Sequence, residues 1–228
     1  MKTFFKKRFD KGEFVGLPLT VIVATILLII ATFTGLAEVV TSSGPVTALD
    51  TSVTQFLFTH RTPFFDQFFY TVTQFGSLKL VGILIPVVIV ALFVYKKRDL
   101  LLPLIVSLVG SELAMYFIKL GIHRPRPGEN IAYYLEKSYS FPSGHATIAM
   151  AFYGFLIYFF VRSEGKLRSS YSISLVLSLL IFLIGFSRIY LGVHYLSDVL
   201  GGYLVGGMWL LLAISLREIL GWRRSKLV

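Results

Sequence analysis

A series of long apolar stretches, separated by short charged segments, constrains the fold of this chain more than any other feature. The six stretches cover approximately 15–37, 68/77–95, 100–121, 142–162, 171–188 and 194–216. A helix needs roughly 20 apolar residues to cross the hydrocarbon core of a bilayer, where it satisfies its own backbone hydrogen bonds. The sequence therefore predicts an all-α membrane protein with six transmembrane helices.

The basic residues predict how these helices are oriented. Of the 22 lysine and arginine residues, 15 lie in four segments that alternate onto one side of the membrane. Five lie in the N-terminal tail, three in the 96–99 turn, three in the 162–168 turn and four in the C-terminal tail. Short cytoplasmic segments are enriched in these residues, so we expect both termini to be cytoplasmic.

Composition excludes several other classes of protein. The 55% hydrophobic content exceeds that of a typical soluble domain, and the absence of cysteine excludes disulfides, thiolate metal ligands and cysteine nucleophiles. The net charge of +10 does not indicate a nucleic-acid partner, because the basic residues flank apolar stretches and form no basic face.

Between the first two spans, residues 50–58 are predicted to form a short surface helix with Asp50 as its N-cap, ended by Arg61-Thr-Pro63.

Six polar residues at the other ends of the predicted helices form a candidate site. They are Lys119, Arg126, His145, Arg188, His194 and Asp198. They come from four different helix ends, yet all are expected at one membrane depth, on the extracytoplasmic side. Such a set of polar residues at one level indicates a common pocket.

His194 and Asp198 are four residues apart, so they share one helix face if the sixth helix has begun at His194. An aspartate there accepts a proton from one imidazole nitrogen and leaves the other nitrogen free as a nucleophile or a base. A polar helix end with a satisfied histidine is the alternative interpretation of this stretch alone.

Pro142-Ser-Gly-His145 precedes the fourth stretch and predicts a helix start, with Ser143 as its N-cap. The free N–H groups of a helix N-terminus bind anions, and Gly144 allows a close approach. Together with three cations and two histidines, this start describes a pocket for a phosphate group, which arginine binds through two parallel hydrogen bonds.

These residues resemble the three-part signature of the type 2 phosphatidic acid phosphatase superfamily. The parts are Lys119-(six residues)-Arg126-Pro127, Pro142-Ser-Gly-His145 and Ser187-Arg188-(five residues)-His194-(three residues)-Asp198. They are present in order and without a substitution. The resemblance implies that residues 1–228 form one integral membrane phosphatase domain with its motifs in 119–198. Soluble vanadium haloperoxidases share the motifs, but the membrane spans argue against that branch.

The resemblance also implies roles for the residues. His194 would attack phosphorus and form a phosphohistidine, with Asp198 fixing its tautomer. His145 would protonate the leaving oxygen and then activate water. Phosphate oxygens would be held by Lys119, Arg126, Ser143, Gly144 and Arg188. In size the chain resembles bacterial enzymes that dephosphorylate phosphatidylglycerophosphate, the first substrate candidate, and undecaprenyl diphosphate, the second; a bacterial plasma membrane is therefore expected.

Several alternatives remain at this point. His145, His194 and Asp198 have the spacing of a metal site, but one carboxylate among three cations argues against a metal, so we expect neither metal nor cofactor. The expected partners are a lipid phosphate and the bilayer, with no obligate protein partner. A lipid phosphotransferase using the same histidine and an anion transporter are the competing functions.

Other residues receive weaker interpretations. Arg124 is left open between the phosphate site, a headgroup contact and an exposed charge, while Glu112 is expected to have a structural role within the membrane. Three outer-loop tyrosines are interpreted as an interfacial aromatic belt, namely Tyr133, Tyr134 and Tyr139. Four glycines of the sixth span are expected to allow close helix packing, namely Gly201, Gly202, Gly206 and Gly207.

Overall fold

The structure, a computed structural model, describes residues 17–42, 44–162 and 167–225. These residues form eight α-helices, a short 3-10 turn at Arg98–Leu100 and no β-strand. The helices are α1 (Leu17–Val40), α2 (Pro45–Thr59), α3 (Pro63–Gln74), α4 (Leu78–Val94), α5 (Leu101–Ile122), α6 (Gly144–Arg162), α7 (Leu167–Tyr190) and α8 (Leu196–Ser225). The all-α prediction is confirmed. The basic N-terminal tail, residues 163–166 and residues 226–228 lie outside the described residues.

Five single helices of the described chain are long and apolar enough to cross a membrane: α1, α5, α6, α7 and α8. The sixth candidate span is a bent pair, α3 and α4, whose axes differ by 44°. The sequence left the start of the second span open between Phe68 and Ser77, and the structure ends α3 at Gln74 and begins α4 at Leu78. The side chain of Ser77 accepts a hydrogen bond from the N–H of Leu80, at 3.2 Å, and so begins a new helix.

The predicted surface helix between the first two spans exists, but it differs from the prediction. It begins at Pro45, with Gly44 as its N-cap, so Asp50 lies inside the helix and is only 1% exposed. The helix ends at Thr59, just before Arg61-Thr-Pro63, as predicted, and Pro63 occupies the first turn of α3, where a missing N–H has no cost. The buried position of Asp50 matters for the site described below.

The core lies around α6, which packs against α5, α7 and α8. Most residues from Ala146 to Phe155 are buried. A β-carbon added at Gly202 would lie 2.5 Å from the carbonyl oxygen of Ser143, and one at Gly206 would lie 2.4 Å from that of Thr147. The close-packing prediction is confirmed there and at Gly201, which packs on Phe141. It is wrong for Gly207, where there is room for a side chain.

Large apolar side chains cover the outside of the bundle. Leu28 of α1 is 66% exposed and Val87 of α4 is 62% exposed. Hydrocarbon chains solvate such surfaces without cost, whereas water would not. This surface agrees with a protein that spans the bilayer several times.

The bundle has two chemically different ends. At the end that we call the loop end, α5 and α7 finish, α6 and α8 begin, and the 123–143 loop lies. At the turn end, Arg217 contacts Asp99 at 2.9 Å and Arg162 contacts Glu218 at 3.1 Å. The charged segments that were predicted on one side of the membrane therefore meet at the turn end, as far as the structure describes them.

Candidate active site

The turn between α7 and α8 places His194 at the loop end. The helix begins only at Leu196, so the expectation that it has begun at His194 is wrong by two residues. The N–H groups of Val193 and His194 both donate to the carbonyl of Arg188, each at 3.2 Å. Gly192 has φ +66, and a β-carbon there would lie 2.8 Å from the carbonyl oxygen of Ile131, so the turn requires glycine.

His194 and Asp198 nevertheless meet as the spacing predicts. Nδ1 of His194 lies 3.3 Å from Oδ2 of Asp198, which also accepts from the N–H of Tyr195, at 2.8 Å, and from the hydroxyl of Ser140. The bond to Tyr195 is half of a capping box, since Asp198 occupies the third position of α8. Asp198 therefore starts the helix and orients the imidazole at once.

The other nitrogen of His194, Nε2, faces Arg126, whose Nη1 lies 3.1 Å away. Because arginine only donates, we assign Nε2 as the acceptor and place the ring proton on Nδ1, toward Asp198. Burial lowers the pKa of His194 well below its ordinary value, and the positive charges of Arg126, Arg188 and Lys119 lower it further. His194 is therefore a neutral imidazole whose lone pair faces the cationic side of the site.

The three predicted cations converge on this histidine. Arg188 is fully buried, and its Nη2 lies 2.5 Å from the carboxylate of Glu136. Arg126 donates through Nε to the carbonyl of Ser138, at 2.6 Å. Lys119 is 8% exposed and donates to the carbonyls of Tyr139 and Ser140. Cations with this little water around them bind an anion strongly.

The start of α6 brings the remaining predicted residues to the same place. Ser143 donates its N–H to the carbonyl of Asp198, at 2.9 Å, and its carbonyl accepts the first helical hydrogen bond, from Thr147. The expected side-chain cap is absent: among the described residues, neither the hydroxyl of Ser143 nor Nε of Arg188 has a hydrogen-bond partner, although both are buried. Gly144 is the first residue of α6.

His145, the second residue of α6, completes the group. The cations nearest to it in electrostatic effect are Arg188, Arg126 and Lys119, and the imidazole of His194 lies within the same group. All eight residues that the sequence singled out therefore lie around one point of the structure. Within the described parts of the chain, no group of three or more histidine, aspartate or glutamate side chains is arranged to hold a metal ion.

Several residues of the site were missed or misinterpreted from the sequence. Tyr134, interpreted as part of an aromatic belt, accepts a hydrogen bond from Arg188 through its hydroxyl, and Thr73 accepts another, at 2.9 Å. Arg124 is neither exposed nor a headgroup contact, because it is 5% exposed and pairs with Asp50 and Asp198. Tyr134 and Glu136 lie in a loop, for which helical periodicity gives no information. Glu136 could have been found from charge balance, because three cations in one pocket need a negative counter-charge.

Glu112 lies deeper in α5 than the site. Its Oε1 is buried and has no hydrogen-bond partner among the described residues. Lys119, two turns further along α5, is the charged residue that interacts with it electrostatically.

A cavity of about 490 Å³, lined by both charged and apolar residues, adjoins the site on the side of the 123–143 loop. Arg126, Glu136 and Val193 line it, and Val193 directly precedes His194. A second cavity, of about 560 Å³ and almost wholly apolar, lies between α1, α6 and α8 and includes Leu200, two residues after Asp198. Charged side chains thus line the first cavity, whereas the second suits hydrocarbon.

A neutral histidine held by a carboxylate, surrounded by buried cations and unpaired donors, is suited to an anion at which covalent chemistry occurs. Fold and site together define a class: a multi-span, all-helical membrane enzyme acting on an anionic group at a helix-end site. Comparison with known proteins agrees with this class and narrows it.

The model of the PAP2 superfamily matches residues 100–222. Phosphatidylglycerophosphatase B of Bacillus subtilis (strain 168) is 34% identical over 149 residues, which are 64% of this chain and 72% of that protein. The crystal structure of a transmembrane PAP2-type phosphatidylglycerolphosphate phosphatase from Bacillus subtilis superimposes with a TM-score of 0.78 at 29% identity, covering 85% of this chain and 96% of that one. Aquifex aeolicus LpxE gives a TM-score of 0.59 at 27% identity, covering 73% and 94%.

The chain belongs to the PAP2 superfamily. It is a hydrolase of the lipid phosphatase type, embedded in a membrane by several spans. The enzyme class expected from the motifs is thereby confirmed.

Proposed function

We propose that this enzyme removes the terminal phosphate of phosphatidylglycerophosphate, with undecaprenyl diphosphate as the second candidate, through a phosphohistidine on the extracytoplasmic face. One observation carries the mechanism: the free nitrogen of His194 lies 3.1 Å from Arg126 inside a buried cationic cluster, while its other nitrogen faces Asp198. A nucleophile and the groups that would stabilise its target are thus held together before substrate arrives.

In the first step, Nε2 of His194 attacks phosphorus in line. The N–P bond forms as the P–O bond to the lipid breaks, and His145 donates a proton to the departing oxygen. The charge on the three equatorial oxygens is stabilised by Lys119, Arg126 and Arg188. The unpaired hydroxyl of Ser143 and Nε of Arg188 supply two further donors, which explains why these buried groups have no partner within the described chain.

In the second step, His145 accepts a proton from water, and the resulting hydroxide oxygen bonds to phosphorus as the N–P bond breaks. Inorganic phosphate leaves and His194 returns to the neutral state. The carboxylate of Glu136 contacts Arg188 and Arg126 at 2.5 and 3.5 Å, where phosphate oxygens would bind. Phosphate therefore competes with Glu136 for these cations. No step needs a metal ion or a cofactor.

The substrate assignment is supported by two of the three named proteins, which are phosphatidylglycerophosphate phosphatases from Bacillus subtilis. The apolar cavity between α1, α6 and α8 suits the acyl or prenyl chains of such lipids, and Leu200 of its lining lies two residues after Asp198. The same relatives support a bacterial plasma membrane as the location that we propose.

The test is release of inorganic phosphate by the purified enzyme in detergent with EDTA present. Phosphatidylglycerophosphate and undecaprenyl diphosphate are offered in parallel, and His194→Ala is the control. We expect release that survives EDTA and disappears in the variant, with phosphatidylglycerophosphate the faster substrate. Loss of activity in EDTA would overturn the metal-free mechanism. Transfer of phosphate to a second lipid, without free phosphate, would indicate a phosphotransferase.

The face of the membrane is tested by cysteine labelling, because the chain contains no cysteine of its own. Glu129→Cys lies in the exposed 123–143 loop, and Arg98→Cys lies in the exposed turn at the other end. An impermeant maleimide added to intact cells should label the first variant and spare the second. The opposite pattern would place the site on the cytoplasmic side.

A further inference from the structure

Asp50 lies outside the PAP2 match, which begins at residue 100. It nevertheless forms a network of polar contacts with residues inside that match. Its Oδ1 accepts from the N–H of Ser197, at 3.0 Å, and its Oδ2 accepts from the hydroxyl of Ser197 and from Nη2 of Arg124, at 2.7 Å. Asp50 lies in α2, at 1% exposure. A carboxylate is rarely buried this completely without a strong partner.

Arg124 connects this carboxylate to the site. Its Nη1 donates to Oδ1 of Asp198, at 2.6 Å, and to the hydroxyl of Ser197, at 2.7 Å, while Nη2 serves Asp50. The guanidinium also lies 4.4 Å from the ring centre of Tyr195. Burial by itself lowers the pKa of Arg124, but the carboxylates of Asp198 and Asp50 more than offset this effect, so the group is firmly charged.

These contacts determine which oxygen of Asp198 serves the histidine. Arg124 occupies Oδ1, whereas Oδ2 faces Nδ1 of His194 and the N–H of Tyr195. With Oδ1 held by a planar guanidinium, the carboxylate cannot turn away from the imidazole. Asp50 supplies a second negative charge to Arg124, so Asp198 is not the sole counter-ion of a buried cation and keeps its negative charge available to His194.

We propose that Asp50 and Arg124 are positioning residues that act through Asp198 to hold His194 in its reactive tautomer and orientation. The proposal rests on the proposed function in taking His194 as the nucleophile. It makes the interfacial helix α2 a part of the catalytic apparatus through one buried side chain.

The first measurement is kcat and KM for lipid phosphate hydrolysis by Asp50→Asn and Arg124→Gln. Each should lower kcat roughly 10- to 100-fold, by analogy with the outer partners of metal-bound histidines, and leave KM within about threefold, because neither residue touches the phosphate. Thr54→Val is the matched control. Thr54 is buried one turn further along α2, its hydroxyl donates to the backbone carbonyl of Asp50 and not to the carboxylate, and its loss should change kcat less than twofold.

A double variant tests whether the two residues act along one path. If they do, Asp50→Asn with Arg124→Gln should lose no more than the worse single variant, and Arg124→Lys should restore part of the kcat lost in Arg124→Gln. Losses that multiply would contradict the shared path. If the buried-charge variants do not fold, Ser197→Ala is milder: it removes the hydroxyl that bridges both residues and should still lower kcat severalfold.

A readout independent of turnover keeps this proposal separate from the proposed function. The protein contains four histidines, so 15N-histidine NMR resolves the His194 imidazole, assigned with His194→Ala. The wild type should show the neutral form protonated on Nδ1, and Asp50→Asn or Arg124→Gln should show mixed tautomers. An enzyme inactive on every lipid would refute the proposed function yet leave this result decisive. Wild-type spectra and kcat in Asp50→Asn, with only a lower melting temperature, would overturn the proposal.

Discussion

The two ends of the helix bundle differ in how far their charged side chains are exposed to solvent. At the turn end, Arg217 and Asp99 pair while 23% and 39% exposed, and Arg162 is 51% exposed beside Glu218. At the loop end, Arg188 and Asp198 are both 0% exposed. Exposed pairs contribute only about 0–1 kcal/mol, whereas each buried ion carries a desolvation penalty of several kcal/mol. The loop end thus contains charges that stability alone would not retain, which is the physical mark of a functional site.

Removing one buried cation should give the largest effect. Arg188→Gln takes away a proposed donor to the equatorial phosphate oxygens and leaves Glu136 without its closest partner. We expect kcat/KM for phosphate release to fall roughly 10²–10³-fold, as for one lost oxyanion donor. Steady-state kinetics in detergent measure it. A loss below tenfold would mean that Arg188 is a structural residue despite its burial.

The pH dependence should show the effect of these cations on His194. Because its pKa lies well below the ordinary 6.5, the neutral imidazole persists as pH falls below 6.5, and activity is lost only near the lowered pKa. Folding stability follows the same sign: the contribution of this buried neutral ring is complete above pH 6.5 and declines toward the lowered value.

Arg126→Gln removes the largest electrostatic contribution to that shift. The acidic limb of the plot of kcat/KM against pH should therefore shift to higher pH than in the wild type, in addition to any uniform loss of rate. Substrate titration is common to both proteins and cancels in the comparison. Superimposable limbs would show that burial alone sets the pKa of His194.

A smaller effect is expected from Glu136→Gln. The carboxylate neutralises Arg188 and Arg126 in the absence of phosphate, so losing its charge should strengthen phosphate binding. Inorganic phosphate should inhibit the variant at a roughly 3- to 10-fold lower concentration, about 1 kcal/mol, with kcat changed less. Unchanged inhibition with a collapse of kcat would instead make Glu136 part of the chemistry.

The smallest effect belongs to the turn end. Arg217→Gln breaks an exposed pair with Asp99, and we expect activity within twofold of the wild type and a melting temperature lowered by a few degrees at most. Thermal unfolding in detergent and phosphate release measure the two quantities. A severe loss of activity here would contradict the division of the molecule into two ends.

The sequence predicts those parts of the fold and of the site whose residues follow a periodic or fixed spacing. The spans were identified because length and hydropathy are local properties, and the motif residues were identified because their spacing in the chain is short. The break between α3 and α4 was not predicted, although the N-cap at Ser77 is local; the need for glycine at position 76 is tertiary, since a β-carbon there would lie 2.4 Å from the side chain of Ile184, more than a hundred residues away. Glu136 and Tyr134 lie in a loop, where no period assigns a face.

By itself, the sequence determined an all-helical membrane chain and eight residues that lie around one point. Only the tertiary structure decided that Arg124 joins Asp198 to Asp50 and that Glu136 lies against Arg188. Asp50 also bonds to Ser197, which is 147 positions further along the chain. The physical reason is desolvation. A buried charge must find a counter-charge wherever the fold supplies one, and the chain order does not record which residue that will be.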